Sequence, residues 1–342
     1  MSTRVVGDGL PWPDEDADAQ ALGESLASEP GASECESRAV TVSAALHQVR
    51  LDKALAELVP EFSRSYLQQL LAQGDVLLNG QSALKPAQKV RAGDQVVVQM
   101  HPTQQSQAFK PEQMPLDVVH EDEYLLVVNK PAGLVVHPAP GNWSGTLLNA
   151  LLGRDAQALQ VPRAGIVHRL DKDTSGLMVV ARSRTAMDAL VRMIAAREVS
   201  RQYLALAWGA WVGPARRSVQ APIGRDPRNR LRMAVVDLAR HAGKEARTDF
   251  ELLAGCDEVC LVRCTLHTGR THQIRVHMAS MRHPLVADAL YGGAAAGPMQ
   301  RQALHAFRLA FTHPVTGEAM EFHAQPPEDL LQALDFWGLR YN

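Results

Sequence analysis

Residues 164–182 read AGIVHRLDKDTSGLMVVAR. An apolar run stops at Val167, and His168, Arg169, Asp171 and Asp173 follow within six residues. Thr174-Ser175-Gly176 then leads into a second apolar run. GIVHRL is strand-like with Asp171 near its end, and LMVV predicts another strand after a turn. A carboxylate beside apolar strands is costly unless it is paired or hydrogen-bonded. Asp171 therefore either caps the turn through Thr174 or Ser175, or is a reacting group that a cation elsewhere keeps ionised.

Such a cation stands in TLHTGRTHQIRVHMA, residues 265–279. The tail alternates, which predicts a strand with Gln273, Arg275 and His277 on one face and Ile274 and Val276 on the other. Arg275 needs a carboxylate and Asp171 needs a cation, so a bidentate pair of the two is expected. His272 and His277 are expected to give hydrogen-bonding support and not to ligate a metal, since no carboxylate or cysteine cluster lies nearby. Tyr203 sits in SRQYLALAWG, an apolar strand in which its hydroxyl must find a partner.

Around these segments lie helix-like stretches such as TAMDALVRMIAAREV and many β-rich runs, among them TDFELLA and VCLVRCTL. Helices scattered among adjacent strands, with no regular βαβ alternation, predict an α+β domain with mixed, mainly antiparallel sheets over residues 116–342. Residues 101–115, with three prolines and four glutamines, read as a linker. Before them, residues 45–100 read as a small module. Leucines at helical spacing from Leu51 and again from Leu67 predict two helices, the second capped by Ser63. GDVLLNG is a short strand closed by Asn79-Gly80, and AGDQVVVQM is another. Lys53, Arg64, Lys85, Lys89 and Arg91 fall at its helix starts and loops. Residues 1–44 lack hydrophobic periodicity and are expected to form a disordered extension.

The net charge of −2 hides an asymmetry: residues 1–38 carry nine acidic and two basic side chains, and the remainder is mildly basic. That balance suits a polyanionic partner without requiring one. Cys256, Cys260 and Cys264 are spaced C-x3-C-x3-C within a strand-like run, which is not zinc spacing, so reduced thiols are expected. No apolar run approaches membrane-spanning length, and no signal sequence is visible, so a soluble, cytoplasmic protein is expected. Phosphate-cradling loops, zincin helices and the G-x-S-x-G elbow are all missing, which removes those readings. GRDPRNRLRMAV places Arg225, Arg228, Arg230 and Arg232 in a Pro-containing loop, either a solvated face or a phosphate-contacting arm.

These residues carry a resemblance. GIVHRLDKDTSGLMVVA is similar to the signature of the RluA family of RNA pseudouridine synthases, RQYLALAWG to its second motif and TGRTHQIRVHM to its third. NKPAGLVVHP, GKEARTDFELL and RQALHA follow family segments in the same order. RLDKALAEL, SRSYLQQLLAQGDVLLNG and AGDQVVV resemble the S4 RNA-binding domain. Within the family, the S4-like module and EDEYLLVVNKPAGLVVHPAPGN point to the D-type branch, which acts on the helix 69 stem-loop of large-subunit ribosomal RNA. The resemblance implies that Asp171 is the catalytic aspartate, Tyr203 lies against the uracil ring and Arg275 pairs with Asp171. It also implies that Arg169 fills the space left by an everted nucleotide. His168, Arg270, Lys53, Arg64, Arg228 and Arg230 are expected to contact RNA. No cofactor, metal or nucleotide is expected, and the partner is large-subunit ribosomal RNA or a pre-ribosomal particle. Three other readings stay open: a related synthase acting on other ribosomal or transfer RNA uridines, a non-catalytic RNA-binding assembly factor, and a metal-dependent glycosyltransferase using Asp171-Lys172-Asp173 as a D-x-D motif.

Overall fold

Leu51, Leu55, Leu67, Leu70 and Leu71 are all buried, because their helical spacing puts them on the facing sides of two short helices. The computed structural model describes residues 36–59, 64–100, 108–139 and 141–340. The chain divides into two units, with a boundary between Gln107 and Ala108.

In the first unit, α1 (Leu51–Leu58) and α2 (Arg64–Gln73) pack with β1 (Glu36–Thr41), β2 (Val76–Leu78), β3 (Gln81–Ser82) and β4 (Gln95–Met100). The sheet order is β1-β4-β2-β3. Asn79 and Gly80 both take positive φ, the tight turn that Asn-Gly favours. β1 corrects the boundary of the expected extension. Residues 36–41 pair antiparallel with the whole of β4, from Glu36 opposite Met100 to Thr41 opposite Gln95. Only Val40 and Val42 signal that strand in the sequence, amid polar neighbours, so the pairing comes from β4. Residues 1–35 and Ser63 lie outside the described residues.

The expected linker also ends early. Its first part lies outside the described residues, but from Ala108 the chain is bound to the second unit. Asn149 Nδ2 donates to the Lys110 carbonyl at 2.9 Å, and Glu112 N–H donates to the Asn149 carbonyl at 3.0 Å. Gln113 Nε2 reaches the Gly153 carbonyl at 2.7 Å.

The second unit is built on a nine-stranded sheet. Its elements are β5 (Val118–Glu121), β6 (Leu125–Lys130), α3 (Leu147–Arg154), β7 (Ser175–Ala181), α4 (Arg184–Ala195), β8 (Ser200–Trp208) and β9 (Arg216–Gln220). A separate hairpin pairs β10 (Ile223–Arg225) with β11 (Met233–Val235). β12 (Arg247–Gly255), β13 (Val259–Leu266), α5 (Gln273–Ser280), β14 (Leu304–Thr312), β15 (Ala319–His323) and α6 (Glu328–Phe336) complete it. The strand order is β5-β6-β7-β14-β8-β13-β12-β9, with β15 beside β14. Only β7 and β14 run parallel, so the domain is α+β with a mixed, mainly antiparallel sheet.

That one parallel contact shapes the site. β14 touches β7 only at Ser175 and Gly176, then follows β8. The slot beside the rest of β7 is filled by the chain just before it. Ile166 makes a single bridge to Val180, and His168 Nε2 accepts from Val179 N–H at 3.1 Å. GIVHRL is therefore not a strand but a loop seated on a strand edge, with a side chain supplying what a ladder would. Gly165 and Gly176 bracket this loop at positive φ. A Cβ on either would collide with backbone, of Ala181 and Ala306 respectively. Among the described residues, no helix is long and apolar enough to cross a membrane.

Candidate active site

Asp171 and Thr174 close a turn, with Thr174 N–H donating to the Asp171 carbonyl at 3.1 Å. The carbonyls between them are held from both sides. Lys172 O accepts from Lys130 Nζ at 2.9 Å and from Gly133 N–H at 2.9 Å. Asp173 O accepts from Arg301 NH1 at 2.9 Å, and Arg301 in turn grips Asp329 of α6 through Nε and NH2 at 2.7 and 2.9 Å. The loop thus has fixed backbone geometry, and Asp171 is aimed by it.

Lys130 is the most unexpected member of this arrangement. It is 1% exposed, and its ammonium also donates to Pro131 O and Leu134 O at 2.9 and 2.8 Å. Burial pushes its pKa down to about 7, opposed by the charges of Asp171 and Asp173. Three carbonyl acceptors call for three N–H donors, which the ammonium has and the amine lacks, so the cage itself selects the charged form.

Asp171 Oδ2 accepts from Arg275 NH1 at 3.0 Å. The expected bidentate pair is corrected here. The fork of Arg275 is taken by Asp288, Nε to Oδ2 at 2.8 Å and NH2 to Oδ1 at 2.9 Å, and Asp171 is met by a single bond from NH1. Asp288 lies within VADALYGG, where nothing in the local pattern marks it. Burial alone would raise the Asp171 pKa, but His272, Arg275 and Arg169 outweigh it and hold the carboxylate down at about 2. The Arg275 pKa is raised, because two carboxylates outweigh its burial.

Arg275 reaches this place because HQIRVHMA is not a strand. α5 starts at Gln273, preceded by His272 in the left-handed region at φ 55°. In a helix, Gln273 and His277 share one face and Arg275 turns away from both. Gln273 Nε2 donates to Thr248 Oγ1 at 2.9 Å. Thr248 Oγ1 lies 2.9 Å from His277 Nδ1, and His277 Nε2 lies 3.0 Å from the Ala221 carbonyl. His277 therefore gives hydrogen-bonding support, with its pKa lowered by burial.

Tyr203 lies in β8, opposite Cys264 of β13 and Ala306 of β14, and is 5% exposed. Burial pushes its phenol up to about 12, against the nearby Arg201 charge and with that of Asp171. It is a neutral ring that keeps its phenolic hydrogen, within electrostatic reach of Asp171. Cys260 and Cys264 are buried in β13, and burial raises both thiols. Among the described residues, no group of His, Cys, Asp and Glu is placed to hold a metal ion.

The residues expected to meet RNA divide. Arg169 is exposed, and its charge acts on Asp171 and on His137, whose pKa falls to about 3, mostly through burial. Arg228 and Arg230 are exposed in the turn between β10 and β11. There Asp226 caps the turn by accepting from Arg228 N–H at 2.8 Å and from Arg232 Nε at 2.6 Å. Lys53 is exposed on α1; Arg64 begins α2, but its side chain lies outside the described residues. Arg270 Nε donates to the Glu245 carbonyl at 3.1 Å. His168 is the correction. It is 5% exposed, accepts a backbone N–H and has its pKa driven down to about 3 by burial, so it shapes the loop and presents no cation to RNA.

A carboxylate fixed by a buried arginine, with a buried tyrosine within reach of its charge, is the centre of this unit. The profile for RNA pseudouridylate synthase matches residues 124–280, and that for the S4 domain matches residues 49–96. "Ribosomal large subunit pseudouridine synthase D" of Neisseria meningitidis serogroup B is 48% identical over 315 residues, covering 89% of this chain and 83% of that protein. The chain belongs to the RNA pseudouridylate synthase family.

The protein of the same description from Xanthomonas campestris pv. campestris is 50% identical, over 82% of this chain and 86% of its own. The solved structure of Human RNA Pseudouridylate Synthase Domain Containing 1 aligns with a TM-score of 0.51 at 29% identity, covering 63% of this chain and 85% of that one. The chain is thus an RNA pseudouridine synthase with an S4 domain before its synthase domain. The assembly-factor and glycosyltransferase readings fall with that membership.

Proposed function

We propose that this synthase isomerises uridines of large-subunit ribosomal RNA, in the helix 69 stem-loop, with Asp171 as the reacting carboxylate. The single observation that carries the role of Asp171 is its 3.0 Å bond to an arginine whose fork is already locked on Asp288. The large-subunit target is supported by the names of the relatives in Neisseria and Xanthomonas.

The isomerisation breaks N1–C1′ of uridine, turns the base and joins C5 to C1′; the C5 proton leaves and N1 regains one, so atoms balance without a cosubstrate. The target base must first leave its stack, at about a few kcal/mol. Arg169, exposed two residues before Asp171, is placed to fill the gap. Asp171 enters ionised whether it attacks C1′, attacks C6 or removes the C2′ proton. Tyr203 stacks on the freed uracil. With its phenol near 12 it starts as a hydrogen-bond donor and not as a base. The S4 domain, through Lys53 and Arg64, and the hairpin, through Arg228 and Arg230, contact phosphates and set position without reading bases. Arg270, in the loop between β13 and α5, joins them. The substrate is met on the pre-ribosomal particle in the cytoplasm.

The test is to map pseudouridine in large-subunit RNA from cells lacking the gene, complemented with wild type or with Asp171→Asn. Wild type is expected to restore the helix 69 modifications. Asp171→Asn is expected to lower turnover by about 10⁴-fold or more while RNA binding persists. Unchanged helix 69 in the deletion overturns the substrate, and substantial turnover by Asp171→Asn overturns the residue.

A further inference from the structure

The hairpin β10–β11 stands apart from the main sheet, yet its underside is not free. Ile223, Met233, Ala246, Val276 and Tyr291 form a small apolar cluster of their own. Val276 is the neighbour of Arg275 on α5, so the hairpin rests on the helix that carries the arginine for Asp171. At the centre is Tyr291, with three contacts of different kinds. Its ring lies 5.0 Å from the guanidinium carbon of Arg275. Its hydroxyl accepts from Met233 N–H, in β11, at 3.0 Å. The same oxygen lies 2.8 Å from His272 Nδ1.

The hydroxyl thus bonds the His272 ring while accepting from Met233, whichever of the two carries the hydrogen between them. His272 occupies the left-handed region without being glycine, a conformation costing about 1 kcal/mol or more, kept where the surroundings over-determine it. Ala287, just before Asp288, is left-handed too, at φ 60°. Both unusual residues adjoin the Asp288–Arg275–Asp171 chain, and Tyr291 touches that chain, the strained residue and the hairpin at once.

We propose that Tyr291 is a positioning residue that holds the arginine-bearing hairpin and the Arg275–Asp171 pair in one register, so that phosphate contacts made by the hairpin set the substrate against Asp171. This rests on the hairpin being an RNA-contacting arm and Asp171 the reacting group. The ring orients Arg275, and the hydroxyl orients the hairpin and His272. The two parts are separable by substitution. Tyr291→Phe keeps the ring and removes the bond to β11; Tyr291→Leu removes both.

The experiment measures turnover on a helix 69 transcript over a range of salt, for wild type, Tyr291→Phe, Tyr291→Leu, Arg228→Ala/Arg230→Ala, and the hairpin pair combined with Tyr291→Phe. Tyr291→Phe is expected to lower kcat/KM about tenfold, the worth of one buried hydrogen bond, with the change in KM exceeding that in kcat. Its salt dependence flattens, and Tyr291→Leu lowers kcat further. The triple variant is expected to be little worse than the hairpin pair alone, because an arm without its arginines gains nothing from being held. Thermal unfolding distinguishes simple loss of stability: a Tyr291→Phe protein with lowered Tm but wild-type KM and salt slope overturns the proposal. Full additivity between Tyr291→Phe and the hairpin pair overturns it as well, while leaving the arm reading intact. If the hairpin pair alone leaves KM and salt slope at wild type, the arm reading fails, and the role of Tyr291 falls with it.

Discussion

The two units solve the problem of burial in opposite ways. The S4 core is aliphatic throughout, from Val42 to Val98, and its one buried charged group among the described residues is Asp52. The synthase unit buries Lys130, Arg201, Arg275, Asp288, His168, His277 and His305 beside its apolar clusters. Desolvating such groups costs several kcal/mol each, roughly, unless bonds replace the water. A fold meant only to dock has no reason to carry that burden. A fold that must hold one carboxylate ionised and aimed does, and two of these groups, Lys130 and Arg275, bond directly to the loop from Asp171 to Thr174.

The contrast can be broken by removing the cation from the loop. Lys130→Met takes the ammonium from the Pro131 and Leu134 carbonyls and leaves the Lys172 carbonyl with Gly133 N–H, and is expected to cost about 3 kcal/mol or more. The shift should appear in the urea midpoint of the synthase unit and not in that of the S4 unit. Leu55→Ala, costing about 2–5 kcal/mol in the aliphatic core, should do the reverse. An unchanged synthase midpoint in Lys130→Met would mean that the cage is not stabilising.

Acid sharpens the same contrast with a smaller effect. His168 and His305 are held neutral to about 3 and about 4, burial being the largest cause in each. The unfolded chain takes up those protons near pH 6.5, so falling pH favours unfolding from there down to the folded values. Stability of the synthase unit is expected to fall by up to about 1.4 kcal/mol per pH unit for each imidazole between pH 6 and 4. Asp171, held at about 2, adds its own loss only below about pH 4. The S4 unit buries no histidine among its described residues and should keep its urea midpoint across pH 6 to 4.

The smallest effect on stability belongs to the surface. Arg228→Ala with Arg230→Ala should change folding free energy by less than about 0.5 kcal/mol, yet raise KM and lower the salt slope by about two. A change in Tm without a change in salt slope would make these arginines structural.

Much of the fold is legible in the sequence. The leucine spacing announced the helices α1 and α2, Asn79-Gly80 announced its turn, and the strands around Tyr203 and Cys264 were evident. The failures share a cause. HQIRVHMA alternates like a strand and contains β-branched residues, yet Gln273–Ser280 is a helix, with Gln273 and His277 on one face bonded to Thr248. GIVHRL reads as a strand but stands beside β7 where His168 does the work of a ladder. In both, local pattern lost to the hydrogen-bond partners that packing supplies, Thr248 for α5 and Val179 for His168.

The sequence by itself determined the parts: which segments are apolar, where the chain turns, and which short runs mix charge with apolar residues. It did so because those features depend on neighbours within a few residues. Only the tertiary structure decided the partners. Asp288 on the fork of Arg275, Lys130 beneath the loop, Arg301 between Asp173 and α6, and Tyr291 between hairpin and helix are pairings across tens of residues or more of chain, or across separate elements. Buried charge demands a partner without specifying where in the chain it lies, and closure of the sheet makes that choice.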